Sequence, residues 1–292
     1  IRLIRAANPS PLTGTGTNTW LVGGSDLAVI DPGPDLPDHL AAILAAIGPG
    51  QRIARIVVTH AHLDHSALAP RLSAATGAPV HAFGTATDGR SPLMQALAPN
   101  LPPHGEGLDL TFSPDLRMEE GTALSGPDYD LTAVHTPGHL GGHLAFALGD
   151  LLFSGDHVMG WSTSIVSPPD GDMAAYMTSL ARLSAGRWSR FLPGHGDPVE
   201  DPDQRLADLT HHRLGREAQI LAALKAEPAS IPDLTARVYV DTPRHLLPAA
   251  ERNVFAHLVD LHSRGRVTAT PALHPDAGYA LACRPKDVPP EP

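Results

Sequence analysis

The apolar stretch at residues 53–58 breaks off into Thr59 and then His60-Ala61-His62-Leu63-Asp64-His65, crowding four side chains with lone pairs to donate into six positions. A short apolar run of this kind reads as a buried strand. A strand that ends in a loop aims several side chains into one space beyond the sheet edge, where layered α/β folds place their ligands. At this His and Asp content, chance yields such a pattern in roughly a few chains per thousand. The chain must therefore fold so that this strand end meets something that uses donors. Three further segments repeat the design, each an apolar run closed by a glycine-containing turn: LTAVHTPGH with His139, LLFSGD with Asp156, and RFLPGHG with His195. Glycine lets the backbone turn tightly and come close to an ion.

Around these segments, short apolar runs alternate with helical patterns, the signature of a layered α/β or α+β fold. Residues 27–30 and 53–58 read as buried strands, and between them Leu36, Leu40, Ile43, Leu44 and Ile47 recur at helical spacing, with Pro37 in the first turn and Gly48 as the stop. Residues 144–148 and 151–153 flank Gly149-Asp150, a hairpin loop. Asp172 opens a helix whose apolar stripe is Met173, Tyr176, Met177, Leu180 and Leu183. Residues 88–114, rich in Pro and Gly, read as an excursion over the surface. After Asp201 a helical run to about Ala226 precedes helical patterns at 229–240 and 248–264. Strand candidates at 266–270 and 278–283 follow, separated by PALHPDA. Three helices and a hairpin form a small winged-helix unit, so the expected domains are 1–204 and 205–292, with the final DVPPEP frayed.

A length of 292 residues allows one large domain or a domain with an appendage. The single cysteine, Cys283, excludes an intramolecular disulfide and a thiolate cluster, so any metal is held by nitrogen and oxygen. Seventeen histidines make that hypothesis reasonable. The formal charge of -10 is concentrated in residues 1–204, with 10 basic against 21 acidic side chains; from 205 onward there are 11 and 10. No basic stripe suited to duplex phosphates appears, and Glu251 and Asp260 interrupt the third C-terminal helix, so duplex DNA is not expected as a partner. No stretch reaches the roughly 18 apolar residues of a membrane span, and the opening IRLIRAANPS lacks a signal-peptide core. The expectation is a cytoplasmic protein with no membrane partner; homo-oligomerisation is left open.

HAHLDH, TPGH, SGD and PGHG, in that order, resemble the metallo-β-lactamase superfamily. The resemblance implies a four-layer αββα sandwich. It implies one metal held by His60, His62, His139 and Asp156, and a second held by Asp64, His65, His195 and the bridging Asp156. Drug-hydrolysing members mostly have Cys at the position of Asp156 or lack a bridging carboxylate, so a true β-lactamase is not expected. NPSPLTGTGTNTWLVGG, GDHVMGWSTSI followed by DMAAYMTSL, and HHRLGREAQILAAL narrow the likeness to the beta-lactamase-like protein 2 family, in which a winged-helix domain follows the metal domain.

The implied cofactors are two divalent ions, Zn2+ first, with Fe or Mn as alternatives. Two such ions roughly 3.5 to 4 Å apart share a water and lower its pKa from about 15.7 toward about 7, making a bridging hydroxide the expected nucleophile. Asp64 is the expected catalytic residue that orients it; His157 is a candidate proton donor. Asn18 and Thr19 are candidates to line the substrate mouth, His135 and His143 read as packing or support, and Asp31 as a structural turn residue before a carboxylate supporting the site.

The family suggests cleavage of single-stranded RNA phosphodiesters. The alternative is hydrolysis of small esters, thioesters or lactones, although the lysine that glyoxalase II relatives use shortly after the bridging Asp is missing here, Lys225 being the first lysine. A catalytically idle regulator acting through the winged helix, where Arg264, Arg266 and Arg284 leave a single-stranded nucleic-acid role open, is a third reading. A single-iron oxygenase is a fourth, opposed by the full ligand set.

Overall fold

In the computed structural model, which describes residues 1–101 and 107–282, the buried runs at 27–30 and 53–58 lie side by side as parallel strands. They belong to a six-stranded sheet in chain order: β1 (Arg2–Arg5), β2 (Asn18–Val22), β3 (Asp26–Ile30), β4 (Arg52–Val57), β5 (Val80–Ala82) and β6 (Leu116–Arg117), antiparallel as far as β3 and parallel beyond it. Pro37, pre-set for a first helical turn, starts α1 (Pro37–Ala45). The strand β4 runs into α2 (Leu63–Ser66) and α3 (Ala69–Thr76), which Gly77 stops in a left-handed cap. α1 and α3 cover one face of the sheet, where Ile43, Leu68 and Leu72 pack with Leu27, Val29 and Ile56.

The alternate residues of the same strands, Ala28, Ile30 and Val57, point the other way, as the two-residue period of a strand requires. With Trp20 and Val22 they meet Leu131, Ala133, Leu144, Phe146, Phe153 and Leu192 of a second sheet. That sheet has the order β11-β10-β9-β8-β7, from β7 (Ala123–Ser125), β8 (Asp130–His135), β9 (Leu144–Leu148), β10 (Leu151–Gly155) and β11 (Arg190–Pro193). The Gly149-Asp150 turn makes β9 and β10 an antiparallel hairpin, and β10 runs parallel to β11.

Asp172 caps α5 (Met173–Ser184) by accepting from the Ala175 N–H at 3.2 Å. Met173, Tyr176, Leu180 and Leu183 pack on Leu152 and Phe191 and on Leu206 and Leu209 of α6 (Pro202–Ala226), forming the fourth layer. Each leucine fully buried in this way contributes about 1.5 to 3 kcal/mol. The expected four-layer αββα sandwich is the fold.

The helix α6 does not end with that sandwich. Its Ile220 and Leu224 enter a separate core with α7 (Ile231–Val238), α8 (Leu247–Ser263) and the hairpin β12 (Val267–Thr270) to β13 (Gly278–Leu281). Ser230 and Asp233 form a reciprocal capping box at the start of α7.

The 88–114 segment is not simply a surface excursion. Within it lies α4 (Pro92–Leu97), ordered as the fourth helix of the chain, and its Met94 is buried with Leu101 in the C-terminal core. The helix is too short for its period to show in sequence. It is pinned by Ser91, whose oxygen accepts from the Met94 N–H at 3.3 Å and whose hydroxyl donates to Asp172 at 2.7 Å. Residues 102–106 of that segment, Cys283, Arg284 and the DVPPEP tail lie outside the described residues. Among the described residues no helix is long and apolar enough to cross a membrane.

Candidate metal centre

Four strands deliver the donors to one edge shared by the two sheets. His60, His62, Asp64 and His65 follow β4, His139 follows β8, Asp156 follows β10 and His195 follows β11. The sheets are stitched at this edge by backbone bonds from the Leu144 N–H to Thr59 O (2.8 Å) and from the Asn18 N–H to Gly194 O (2.7 Å). Two glycines make room. Gly155 has φ +49°, and a Cβ there would fall 2.6 Å from His143 Nε2; a Cβ on Gly194 would fall 2.6 Å from both Asp156 Oδ1 and His65 Cε1.

All seven predicted donors come together. His60 Nε2 lies 2.9 Å from His62 Nδ1, which lies 3.1 Å from His139 Nε2. Asp64 Oδ2 is 3.2 Å from His195 Nε2 and 3.6 Å from His65 Nε2, and those two nitrogens are 3.2 Å apart. Asp156 stands between the groups, with Oδ1 3.5 Å from His65 Nε2 and Oδ2 3.3 Å from His195 Nε2 and 3.9 Å from His139 Nε2.

The outward nitrogens of four of these rings are already engaged. His139 Nδ1–H donates to Ile165 O at 2.7 Å, His195 Nδ1–H to Gly16 O at 3.3 Å, His60 Nδ1–H to Thr59 Oγ1 at 2.9 Å and His65 Nδ1–H to Asp31 Oδ2 at 2.9 Å. This fixes the orientation of each ring and turns its other nitrogen inward. Asp31 is therefore more than a turn residue. It also accepts from the Thr59 N–H (2.7 Å) and hydroxyl (2.9 Å), and it holds a left-handed φ of +53° to do so.

Charge divides the cluster. Burial, reinforced by neighbouring imidazoles, keeps His60 and His139 neutral and depresses His62 to about 3. Burial works against ionising Asp64 and Asp156, yet His65 and His195 hold both carboxylates below their usual range. Burial likewise disfavours protonating His65 and His195, but the two carboxylates raise both, His195 to about 9.

Such a cluster fits cations. Asp156 Oδ1 is buried with no hydrogen-bond partner, and the lone pairs of His60 Nε2 and His139 Nε2 both face His62 Nδ1, whose single proton can serve only one of them. His60, His62 and His139 form one triad able to hold an ion and Asp64, His65 and His195 another, with Asp156 between them. Imidazole nitrogen and carboxylate oxygen suit zinc and also iron or manganese.

Other expectations need correction. Asn18 and Thr19 do not line a substrate mouth: both are fully buried. The Asn18 amide donates to Pro193 O and Gly196 O, bracing the turn that carries His195, and the Thr19 hydroxyl donates to Asp31 O. His157 is no proton donor to the cleft. It is buried against the Tyr176 ring at 4.6 Å, and burial depresses it to about 3. His143 supports the site as expected, its Nε2 accepting from the Asp156 N–H at 3.2 Å, and His135 stacks on Phe83.

His62, Asp64, His139, Asp156 and His195 form one end of a cavity of about 540 Å³, while His60 and His65 are buried and do not line it. Leu12, Trp161 and Ile165 line its flanks, and the far end is built from α6, α8 and the end of α7, with Arg213, Arg216, Tyr239 and Arg252. These side chains were missed in the sequence. Their signal lay in the α6 stripe Leu206, Leu209, Arg213, Arg216, Ile220, Leu224, an inward-facing helical face whose two middle positions are arginine.

The sequence profile of the Metallo-beta-lactamase superfamily matches residues 12–195, and that of the Beta-lactamase associated winged helix domain matches 230–273. The Beta-lactamase-like protein 2 homolog of Drosophila melanogaster is 33% identical over 276 residues, 90% of this chain and 88% of its own. An Atrochrysone carboxyl ACP thioesterase of Aspergillus chevalieri is 31% identical over 232 residues, 77% of this chain and 66% of its own. Among solved structures, a Beta-lactamase domain protein from Burkholderia ambifaria superposes with a TM-score of 0.78 at 23% identity, covering 96% of this chain and 91% of its own. The motifs, the paired sheets and these likenesses agree that the chain belongs to the metallo-beta-lactamase superfamily, among the relatives of beta-lactamase-like protein 2 that carry a winged-helix domain behind the metal domain.

Proposed function

We propose that this protein is a dinuclear metal-dependent hydrolase, zinc being the first choice of metal, and that it cleaves phosphodiesters of single-stranded RNA rather than β-lactams. The observation that carries the reading is the convergence of seven donors, five of which line the floor of a cleft, with Asp64 the ligand-type carboxylate most open to it, 27% exposed. When bound, two divalent ions supply an activated water and an electrostatic sink for charge developing on the scissile oxygen.

The chain's own contribution is placement. Asp64 stays ionised and accepts a hydrogen bond from an attacking water, which orients it. Asp31, Thr59, Ile165 and Gly16 hold the rings so that nothing need reorganise during the reaction. The far wall is supplied by α6 and α8, and a cavity of about 540 Å³ suits a flexible single strand better than a rigid duplex.

The test is turnover of single-stranded and duplex RNA by metal-loaded protein, with His60→Ala and Asp64→Asn as controls. The expected result is cleavage of the single strand that both controls lose; equal turnover by the controls would overturn the reading. A second reading, hydrolysis of an acyl thioester, is favoured by the thioesterase relative and by the apolar flank of Leu12, Met159, Trp161 and Leu246. A thioester panel run beside the RNA assay decides between them.

A further inference from the structure

The far end of the cavity holds cationic side chains that no carboxylate among the described residues neutralises. Arg213 is buried to 1% exposure on the inward stripe of α6. It donates to Asn253 Oδ1 at 3.0 Å and to Ser164 O and lies 5.0 Å above the Tyr176 ring, but its Nε has no partner. Arg216, one turn further on, lies 4.3 Å over the Tyr239 ring and donates to Val238 O at 2.5 Å and Gln219 Oε1 at 3.0 Å. Its Nε, the Arg252 Nε and the Tyr239 hydroxyl are likewise buried without partners. Among the described residues none of the three arginines meets a carboxylate. Carboxylates are nevertheless at hand on the same helices: Glu217 and Asp260 both pair with Arg264, on the side away from the cavity. Asp170, which also lines the cavity, is taken by Arg90.

A guanidinium drawn out of water without a carboxylate carries a desolvation cost that neutral acceptors only partly offset, and an apolar residue at these stripe positions would pack without it. A leucine stripe interrupted by arginine only where it borders the cavity is explained by an anion that arrives with the substrate. Planar guanidinium forks, concentrated without counter-charge, match a tetrahedral group with several acceptor oxygens. His212, on the same wall, is depressed to about 4 by burial and by Arg213 and Arg216, so it adds no competing positive charge.

We propose that Arg213, Arg216 and Arg252, with the Tyr239 hydroxyl, form a phosphoryl-binding subsite that grips a phosphate of the substrate other than the group being cleaved. The subsite deepens the hydrolase reading given above and rests on it only for the identity of the scissile bond. Its chemistry is common to a flanking phosphate of single-stranded RNA and to the phosphate of a phosphopantetheine thioester.

Two matched pairs separate these sources in metal-loaded protein: a short RNA against the same RNA with one flanking phosphate replaced by an uncharged methylphosphonate, and S-acetyl-phosphopantetheine against S-acetyl-pantetheine. The charged member of the true substrate pair is expected to show a KM lower by roughly tenfold. In Arg216→Met and Arg252→Met that ratio falls toward one. A readout free of turnover accompanies it: inorganic pyrophosphate raises the Tm of the wild type, and the rise shrinks in both variants. Arg252→Met keeps the test available should Arg216→Met fold poorly, and metal content shows that the other end of the cleft is intact. Wild-type discrimination and an undiminished pyrophosphate shift in both variants would overturn the subsite. Loss of the shift with no turnover of either pair would uphold the subsite and remove the hydrolase reading.

Discussion

Both ends of the cleft bury ionisable groups, and they handle them in opposite ways. At the metal end, two carboxylates and two raised imidazoles compensate one another, and four rings are pinned by outward hydrogen bonds. At the arginine end, three guanidinium groups meet no carboxylate among the described residues, and nearby histidines are driven neutral. The first arrangement is braced by its own ion pairs and hydrogen bonds. The second is held in place by the packing of α6 and α8, and on the proposal above it is completed by an anionic group of the substrate. The contrast between a self-paired and an unpaired end is what would orient such a substrate in the cleft.

The comparison is broken most severely at Asp156, the carboxylate between the two triads. Asp156→Asn is expected to reduce turnover to background and to lower the metal retained per chain, measured by elemental analysis beside activity. Full metal content in this variant would mean that the two triads do not depend on a shared carboxylate. Asp31→Asn, which removes the anion behind His65, is expected to weaken metal binding about 10- to 100-fold in a chelator competition.

At the other end, His257 is buried with both ring nitrogens unpartnered, and burial, then Arg213 and His212, depress it to about 3. Its folded value is below its unfolded one, so the unfolded chain takes up the proton first. Stability is therefore lost as pH falls from about 6.5 toward 3. The loss from this group between pH 7 and pH 5 is about 2 kcal/mol. Denaturant unfolding of the wild type and His257→Leu at both pH values reads it, and the gap between them should widen in favour of the variant at pH 5. The smallest effect is expected from Arg216→Met, whose Tm should correspond to a stability within about 1 kcal/mol of the wild type. A large destabilisation would make Arg216 a brace rather than a gripping residue.

The two ends also differ in how far the sequence reveals them. HAHLDH places four donors within six residues on one strand end, and the other three each follow an apolar run and a glycine turn, so local chemistry betrays them. The layers were legible for the same reason: Pro37, Gly149-Asp150 and Asp172 mark their elements by backbone chemistry alone. The arginine wall is spread over three helices at unremarkable spacings, and only the stripe through Leu209 and Ile220 links its first two members. Asn18 misled because a turn composition of Gly, Thr and Asn says nothing about whether the amide faces outward or, as it does, inward onto Pro193 and Gly196. His157 misled because adjacency to Asp156 in sequence becomes opposite facing across the end of β10. The burial of α4 depends on partners more than a hundred residues away.

Because α6 runs unbroken from the sandwich into the C-terminal core, it acts as a gauge rod whose angular setting is shared by everything mounted on it. One residue inserted between Leu209 and Arg213 would turn the rest of the rod by about 100° relative to the metal edge. Arg213 and Arg216 would swing off the cleft while every donor at the opposite end kept its place. Descendants of this chain can vary the surface of that helix freely, but a change of its length there would break the alignment between the arginine wall and the donor cluster.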